Sequence, residues 1–416
     1  MPDRSLLLVA QLTPPSTLVA ARRAGGLAKY LARLGYRVTV LTSAISGEGP
    51  IAGAAAVART ADLMASPLNW RRGHFEALSG TAAAAYARPS RLESVVVPDL
   101  AALTWLPVAL PRALALARER RFDCVLTSSP PPSTHLVGRA LARRGSCWVA
   151  ELRDGWTFEP PRPQWPLRVQ RRADRALESA LLRRADAVVG VTAPIVEDAR
   201  QRLGVDARLI TNGFDPEEAP EAAADGLAPD KFSLVHTGRI ALARSSPRPL
   251  LDALRLLRRE APELVDGLEV VFAGPLSADE QADLAAADLS GLVRVLGPVS
   301  HERALALQRG ADGLLVVTEG RRRPSVATGK LFEYLAARRP ILVLGEGTEA
   351  ARIVDDAGAG VAAPADAPAA IAEALRRLVA EPPGGAAPAA IDRYAYPALA
   401  DAYAQLIEEV CARVAR

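Results

Sequence analysis

Short apolar runs alternating with helical stretches recur along almost the whole chain, and this alternation constrains the fold more than any other feature. Leu6-Leu7-Leu8-Val9-Ala10, Arg37-Val38-Thr39-Val40-Leu41-Thr42, Cys147-Trp148-Val149-Ala150, Gly313-Leu314-Leu315-Val316-Val317 and Ile341-Leu342-Val343-Leu344 are each a few residues long and end in Gly, Pro or polar residues. Near-continuous apolar runs of this length are the mark of strands buried on both faces of a parallel sheet. The alternation occurs twice, divided by the stretch PEEAPEAAADGLAP over residues 216–229, which is rich in Pro, Ala and acid. The expected architecture is therefore α/β: two doubly wound, Rossmann-like domains facing a cleft. Residues 1–215 form the first, 216–231 a linker and 232–390 the second. Residues 391–416 are a last helix expected to cross back to the first domain.

At 416 residues the chain suits two cores better than one. The net charge of +4 is small for this length and its arginines are spread over both halves, which argues against a nucleic-acid footprint. Three cysteines without a CxxC pattern and four unpaired histidines give no disulfide framework and no metal site, and they fit a reducing cytoplasm. Residues 95–117 are apolar but carry Pro98, Asp99, Pro107, Pro111 and Arg112, so they read as a loop leading into a helix and not as a membrane span.

In the first half, Gly25-Gly26 is expected to open a helix through Arg33, where backbone turns sharply or approaches something closely. Residues 46–94 show little periodicity. Residues 168–184 form an amphipathic helix expected to pack Val169, Ala173, Ala176, Leu177, Ala180 and Leu181 inward. Its arginine face could meet anionic lipid, though a solvated outer face is preferred. Polar groups collect just after strands, at Ser128-Ser129-Pro130-Pro131-Pro132-Ser133-Thr134-His135 and Leu152-Arg153-Asp154-Gly155-Trp156, where open α/β sheets bind ligands. No GxGxxG follows the first strand, so a dinucleotide site is not expected.

The most informative stretch is Ser325-Val326-Ala327-Thr328-Gly329-Lys330-Leu331-Phe332-Glu333-Tyr334, between two apolar strands. A strand, a small-residue loop and a helix start make an anion site, because first-turn N–H groups lack intrahelical partners. Lys330 adds a cation in that turn, and Glu333 lies one turn on along the same face. Only three of the 51 basic residues are lysine, so a lysine kept here suggests a use for a compact charge.

Together with His236-Thr237-Gly238-Arg239, Asn212-Gly213-Phe214-Asp215, Phe272-Ala273-Gly274-Pro275 and Leu296-Gly297-Pro298-Val299, these motifs resemble the GT-B glycosyltransferases, in particular the large retaining "group 1" subset. The resemblance implies a nucleotide-diphosphate sugar held mainly by the second domain and an acceptor held mainly by the first. Arg239 would be the diphosphate-binding arginine, with Arg244 where the family usually has lysine. Lys330 would share the diphosphate and Glu333 would bind the ribose. Gly238, Pro298, Val299, Ser325, Thr328, Gly329 and Leu331 complete the donor side, and Gly25 and Gly26 would approach the diphosphate from across the cleft. Asp154 and His135 would orient acceptor or sugar hydroxyls beside Ser129 and Trp156. One departure stands out: where the family often has a first glutamate, eight positions before Glu333, this chain has Ser325.

The chemistry expected is transfer to a hydroxyl with retention, with no essential metal, fixed cations and helix N–H groups stabilising the departing diphosphate. A sugar-nucleotide epimerase or other relative on the same fold, and a non-catalytic GT-B partner protein, are the alternatives. A growing cell-surface polysaccharide, a lipid-linked sugar and a small natural product all remain open as acceptors, and peripheral contact with the inner membrane face stays open too.

Overall fold

A computed structural model describes residues 4–16, 19–63, 94–160, 165–218, 225–240, 247–318 and 323–414. The chain divides into two compact units, one of Met1–Asn212 with Tyr396–Arg416, the other of Gly213–Ala395.

The first unit carries seven strands: β1 (Ser5–Ala10), β2 (Arg37–Ser43), β3 (Ala56–Thr60), β4 (Cys124–Ser129), β5 (Cys147–Leu152), β6 (Ala187–Gly190) and β7 (Ala207–Leu209). They form one parallel sheet in the order β3-β2-β1-β4-β5-β6-β7. The order reverses between β1 and β4, which is where a doubly wound sheet opens a crevice at its carboxyl ends. β3 runs through a segment with little sequence pattern and is paired to β2 from Thr39↔Ala56 to Ser43↔Thr60. Residues 64–93 lie outside the described residues. The last helix, Tyr396–Val414, packs Leu399, Tyr403, Leu406 and Val410 into the same core as Leu27 and Leu31 of the helix Val19–Arg33.

The second unit carries β8 (Phe232–Thr237), β9 (Leu268–Ala273), β10 (Val293–Val295), β11 (Gly313–Val317), β12 (Ile341–Leu344) and β13 (Gly360–Ala363), again all parallel, in the order β10-β9-β8-β11-β12-β13. Its reversal falls between β8 and β11.

Two expectations need correction. Gly25-Gly26 does not open a helix, because the helix begins at Val19 and encloses the pair. A Cβ on Gly25 would lie 2.6 Å from the Pro14 ring and one on Gly26 2.6 Å from the Tyr396 ring, so packing accounts for both. The helix Arg168–Leu182 is rotated from its expected stripe: Leu177 and Leu181 pack into the core as expected, but Asp174 and Glu178 take the place of the other four. Asp174 and Glu178 are buried, while Val169, Ala173, Ala176 and Ala180 are exposed. The cause is polar pairing: the indole N–H groups of Trp156 and Trp165 donate to the two oxygens of Asp174 at 2.9 and 2.8 Å. Thr157 and Arg202 in turn satisfy Glu178. Two buried carboxylates with full hydrogen bonding outweigh a few alanines facing water. The widely spaced cysteines meet in space. Cys124 and Cys147 are register partners, with Cys411 beside them donating its thiol to Asp123 O at 3.7 Å. Bonding to Cys124, with burial, pushes the Cys411 thiol up to about 12, so it stays protonated and unreactive.

Candidate functional site

In the second unit the reversal between β8 and β11 brings together the two motifs that carry the strongest chemistry. β8 ends at Thr237, and the chain turns at Gly238 with φ +78°, in the left-handed region. The Gly238 N–H donates to Ala273 O at the end of β9, 2.7 Å away. A Cβ on Gly274 would lie only 2.1 Å from Gly238 O, so these two strand ends run closer than a side chain permits. This close approach fixes the backbone of Gly238 and Arg239.

Lys330 reaches that backbone from the helix Gly329–Ala337. Its ammonium donates to Arg239 O at 2.6 Å and lies 3.1 Å from His236 Nε2. His236 is fully buried, with Nδ1 2.8 Å from Leu315 O on β11. Burial, reinforced by the Lys330 charge, holds this imidazole down to about 3, so it is neutral. Nδ1–H then donates to Leu315 O, and the Nε2 lone pair accepts from Lys330. Because Nε2 is also 2.9 Å from Arg239 O, the ammonium bridges two acceptors that otherwise oppose each other. Loss of water around Lys330 pushes its own pKa down to about 8, against the pull of Glu333 and Glu280. The amine is therefore charged at neutral pH and held in one place.

The helix is anchored behind it. Tyr334, fully buried, accepts the Thr237 N–H at 2.8 Å. Gln308 donates both to Thr237 Oγ1 (3.0 Å) and to Glu333 Oε2 (3.2 Å), setting the carboxylate one turn beyond Lys330. Glu333 also lines a hollow of about 290 Å³ with Gln308, Arg309, Asp215 and Asp392. Thr328 precedes the helix with extended backbone and leaves its Oγ1 buried without a hydrogen-bond partner among the described residues. The remaining first-turn N–H groups, those of Gly329 and Lys330, lie where a helix leaves its donors without intrahelical partners.

Of the other donor-side candidates, Pro298 and Val299 lie in the loop between β10 and the helix His301–Gly310. Ser325 is buried at 2 % exposure, so no carboxylate stands at that position. Leu331 is fully buried and its N–H is taken by Thr328 O, so it serves packing and offers nothing to a ligand. Arg244 lies outside the described residues.

In the first unit, Ser129 and Trp156 do not face an acceptor. Ser129 is buried with its hydroxyl on Glu151 O, and Trp156 is buried with its indole on Asp174. Asp154 sits partly exposed just past β5, next to Arg153, whose guanidinium donates to Ser129 O and Pro130 O. His135 does not cap its helix. Its Nδ1 is 2.8 Å from Thr127 Oγ1, which itself accepts from Trp148 Nε1. His135 Nε2 is buried without a partner among the described residues. Burial holds this imidazole down to about 3.

The sequence reading missed His236 as the group that receives Lys330. Its position one residue before Thr237-Gly238-Arg239 was on view, but not that β11 would close against it.

The chain matches the family described as Glycosyltransferase Family 4 over residues 20–218, and the family described as Glycosyl transferases group 1 over residues 231–381. The chain belongs to the group 1 glycosyltransferases of family 4. These are retaining enzymes that use nucleotide-diphosphate sugars, so this glycosyltransferase transfers a sugar from such a donor. No curated protein matches it in sequence. Solved structures similar to the glycosyltransferase share its fold at low identity. Sucrose-phosphate synthase from Thermosynechococcus elongatus is 18 % identical with a TM-score of 0.66, covering 99 % of this chain and 100 % of the other. WaaG, a glycosyltransferase involved in lipopolysaccharide biosynthesis, is 15 % identical with a TM-score of 0.58 over 98 % and 99 % of the two chains. AviGT4, a glycosyltransferase involved in Avilamycin A biosynthesis, is 15 % identical with a TM-score of 0.53 over 98 % of each. The fold is GT-B, two Rossmann-like domains each built on its own parallel sheet.

Proposed function

We propose that this glycosyltransferase holds the diphosphate of its donor on Lys330, Arg239 and the first-turn N–H groups of the helix Gly329–Ala337, and transfers the sugar to a hydroxyl without an essential metal. The observation that supports this reading is the 2.6 Å contact from the Lys330 ammonium to the carbonyl of Arg239, which joins two motifs 91 residues apart at a sheet reversal. Glu333, set one turn along by Gln308, is the carboxylate for the ribose hydroxyls. In the transfer step the bond from the anomeric carbon to the diphosphate oxygen breaks and a bond to the acceptor oxygen forms on the same face. The acceptor's proton passes to the departing phosphate oxygen. Charge builds on that oxygen as the bond lengthens, and donors already fixed there lower the barrier most. Asp154 and the unpartnered Nε2 of His135 are the first unit's groups for orienting hydroxyls. The likeness to WaaG and AviGT4 is compatible with acceptors in cell-surface glycolipids or in small natural products. A thermal-shift panel of uridine, guanosine and thymidine diphosphates, each with and without magnesium, tests the proposal. One diphosphate should raise Tm equally in both conditions; stabilisation that requires magnesium would overturn the metal-independent reading.

A further inference from the structure

The helix Arg168–Leu182, with its acidic side chains turned inward, leaves a surface that the donor chemistry does not use. Its outward face carries Arg168, Arg172 and Arg175, and Arg183 and Arg184 extend it at the carboxyl end, all exposed. None of the five has a carboxylate partner among the described residues. The helix's acidic side chains, Asp174 and Glu178, are the ones turned inward. Between the arginines run Ala173, Ala176 and Ala180, and the amino end presents Leu167 and Val169 at 58 % and 67 % exposure. Val95 joins them at 63 %, held there because Gln170 Nε2 donates to Val95 O. On the adjoining helix His135–Ala142, the Arg139 guanidinium loses protonation strength through burial and through the charges of Arg143 and Arg184, which places these arginines in one cluster.

A solvated outer face ordinarily mixes signs. With 51 basic and 47 acidic residues in the chain, a face with arginines and no acid does not follow from composition. Nor does water favour Leu167, Val169 and Val95 among them. We infer that this face of the first unit docks on an anionic lipid bilayer, with the Arg168–Leu182 helix lying along the interface. Its arginines would meet phosphate headgroups, and Leu167, Val169 and Val95 would enter the acyl boundary. A soluble polyanion would use the arginines but has no use for the aliphatic group. The alanine stripe buries little apolar area, so attachment depends on lipid charge. The mode is peripheral, since among the described residues no helix is long and apolar enough to cross a membrane.

Co-sedimentation of the full chain with vesicles of pure phosphatidylcholine, and of equimolar phosphatidylcholine and phosphatidylglycerol, tests this. The protein should sediment with the anionic vesicles only, and high salt should release it. Each arginine near the surface contributes about fivefold in affinity, so Arg168→Gln, Arg172→Gln and Arg175→Gln together should weaken binding about a hundredfold. Val169→Ser should weaken it with the charge of the face unchanged. These positions are exposed, so a matching thermal melt establishes that the variants fold. Wild-type protein that stays off anionic vesicles, that binds a soluble polyanion such as dextran sulfate instead, or that binds lipid as tightly after the triple substitution would overturn the inference. The donor-site proposal is tested separately by nucleotide binding, so either can fail alone.

Discussion

Replacing Lys330 with methionine keeps the side-chain volume and removes the one charge, which separates its role in binding from its role in folding. In the resting protein the ammonium serves Arg239 O and His236 Nε2. Losing it leaves both without that donor, a cost of about 1–3 kcal/mol. One effect offsets this: the lowered pKa of Lys330 means the fold already holds its charge at a disadvantage. A shift of the imidazole proton to Nε2 would serve Arg239 O, 2.9 Å away, only by leaving Nδ1 and Leu315 O as facing acceptors, so it adds nothing. The net change in stability should therefore stay within about 1–2 kcal/mol. Binding is different, because the diphosphate loses a charge-assisted hydrogen bond of about 1.5–3 kcal/mol, about ten- to a hundredfold in Kd. Turnover should fall further, by about 10²–10³, if the ammonium stabilises the departing oxygen. Titration calorimetry with the stabilising nucleoside diphosphate, and with its nucleoside as control, reads this directly. The pH dependence gives a second reading. An amine with pKa about 8 loses its proton as pH rises through 8, so wild-type affinity should fall about tenfold per unit above it, while Lys330→Met stays flat. A variant that binds the diphosphate as tightly as wild type, with the same pH profile, would refute the reasoning.

Gly274→Ala should drive a Cβ into Gly238 O, separate the ends of β8 and β9, lower the unfolding free energy read from urea titration by about 1–3 kcal/mol and abolish nucleotide binding. His135 and His236 are buried neutral, so the unfolded chain binds a proton near pH 6.5 that the native fold refuses until about 3. Stability should accordingly drop by about 1.4 kcal/mol per imidazole for each pH unit below 6.5, seen in urea titrations at successive pH values and reduced in His135→Gln. Asp174→Ala strands two indole N–H groups and should cost about 2–5 kcal/mol, with the Tm falling while the affinity for nucleoside diphosphate stays unchanged.

Patterns that depend on near neighbours were legible in the sequence; those that depend on distant ones were not. The apolar run Ile341–Leu344 is a strand with the expected bounds, because burial on both faces demands an unbroken apolar segment. Lys330 was visible because it follows a strand and a small-residue loop. Its partner His236 needed the crossing of β8 and β11, which no local pattern encodes. The helix Arg168–Leu182 misled because periodicity counts alanine as apolar, while its orientation is set by Trp156 and Trp165 outside the helix. Gly25-Gly26 looked like a turn because a helical glycine is costly without a reason, and the reason, the Tyr396 ring, comes from 370 positions away. β3, Ala56–Thr60, and β13, Gly360–Ala363, are short strands built largely on Ala and Val with too few residues to show a period.

The account rests on where a nucleoside diphosphate sits. A crystal structure of the protein with the diphosphate that stabilises it most is the direct measurement. Phosphate oxygens within about 3 Å of Lys330 Nζ and of a first-turn N–H of the helix Gly329–Ala337 are expected, with the ammonium drawn from Arg239 O toward them. Phosphates bound elsewhere, with Lys330 still closed on the Arg239 carbonyl, would contradict it.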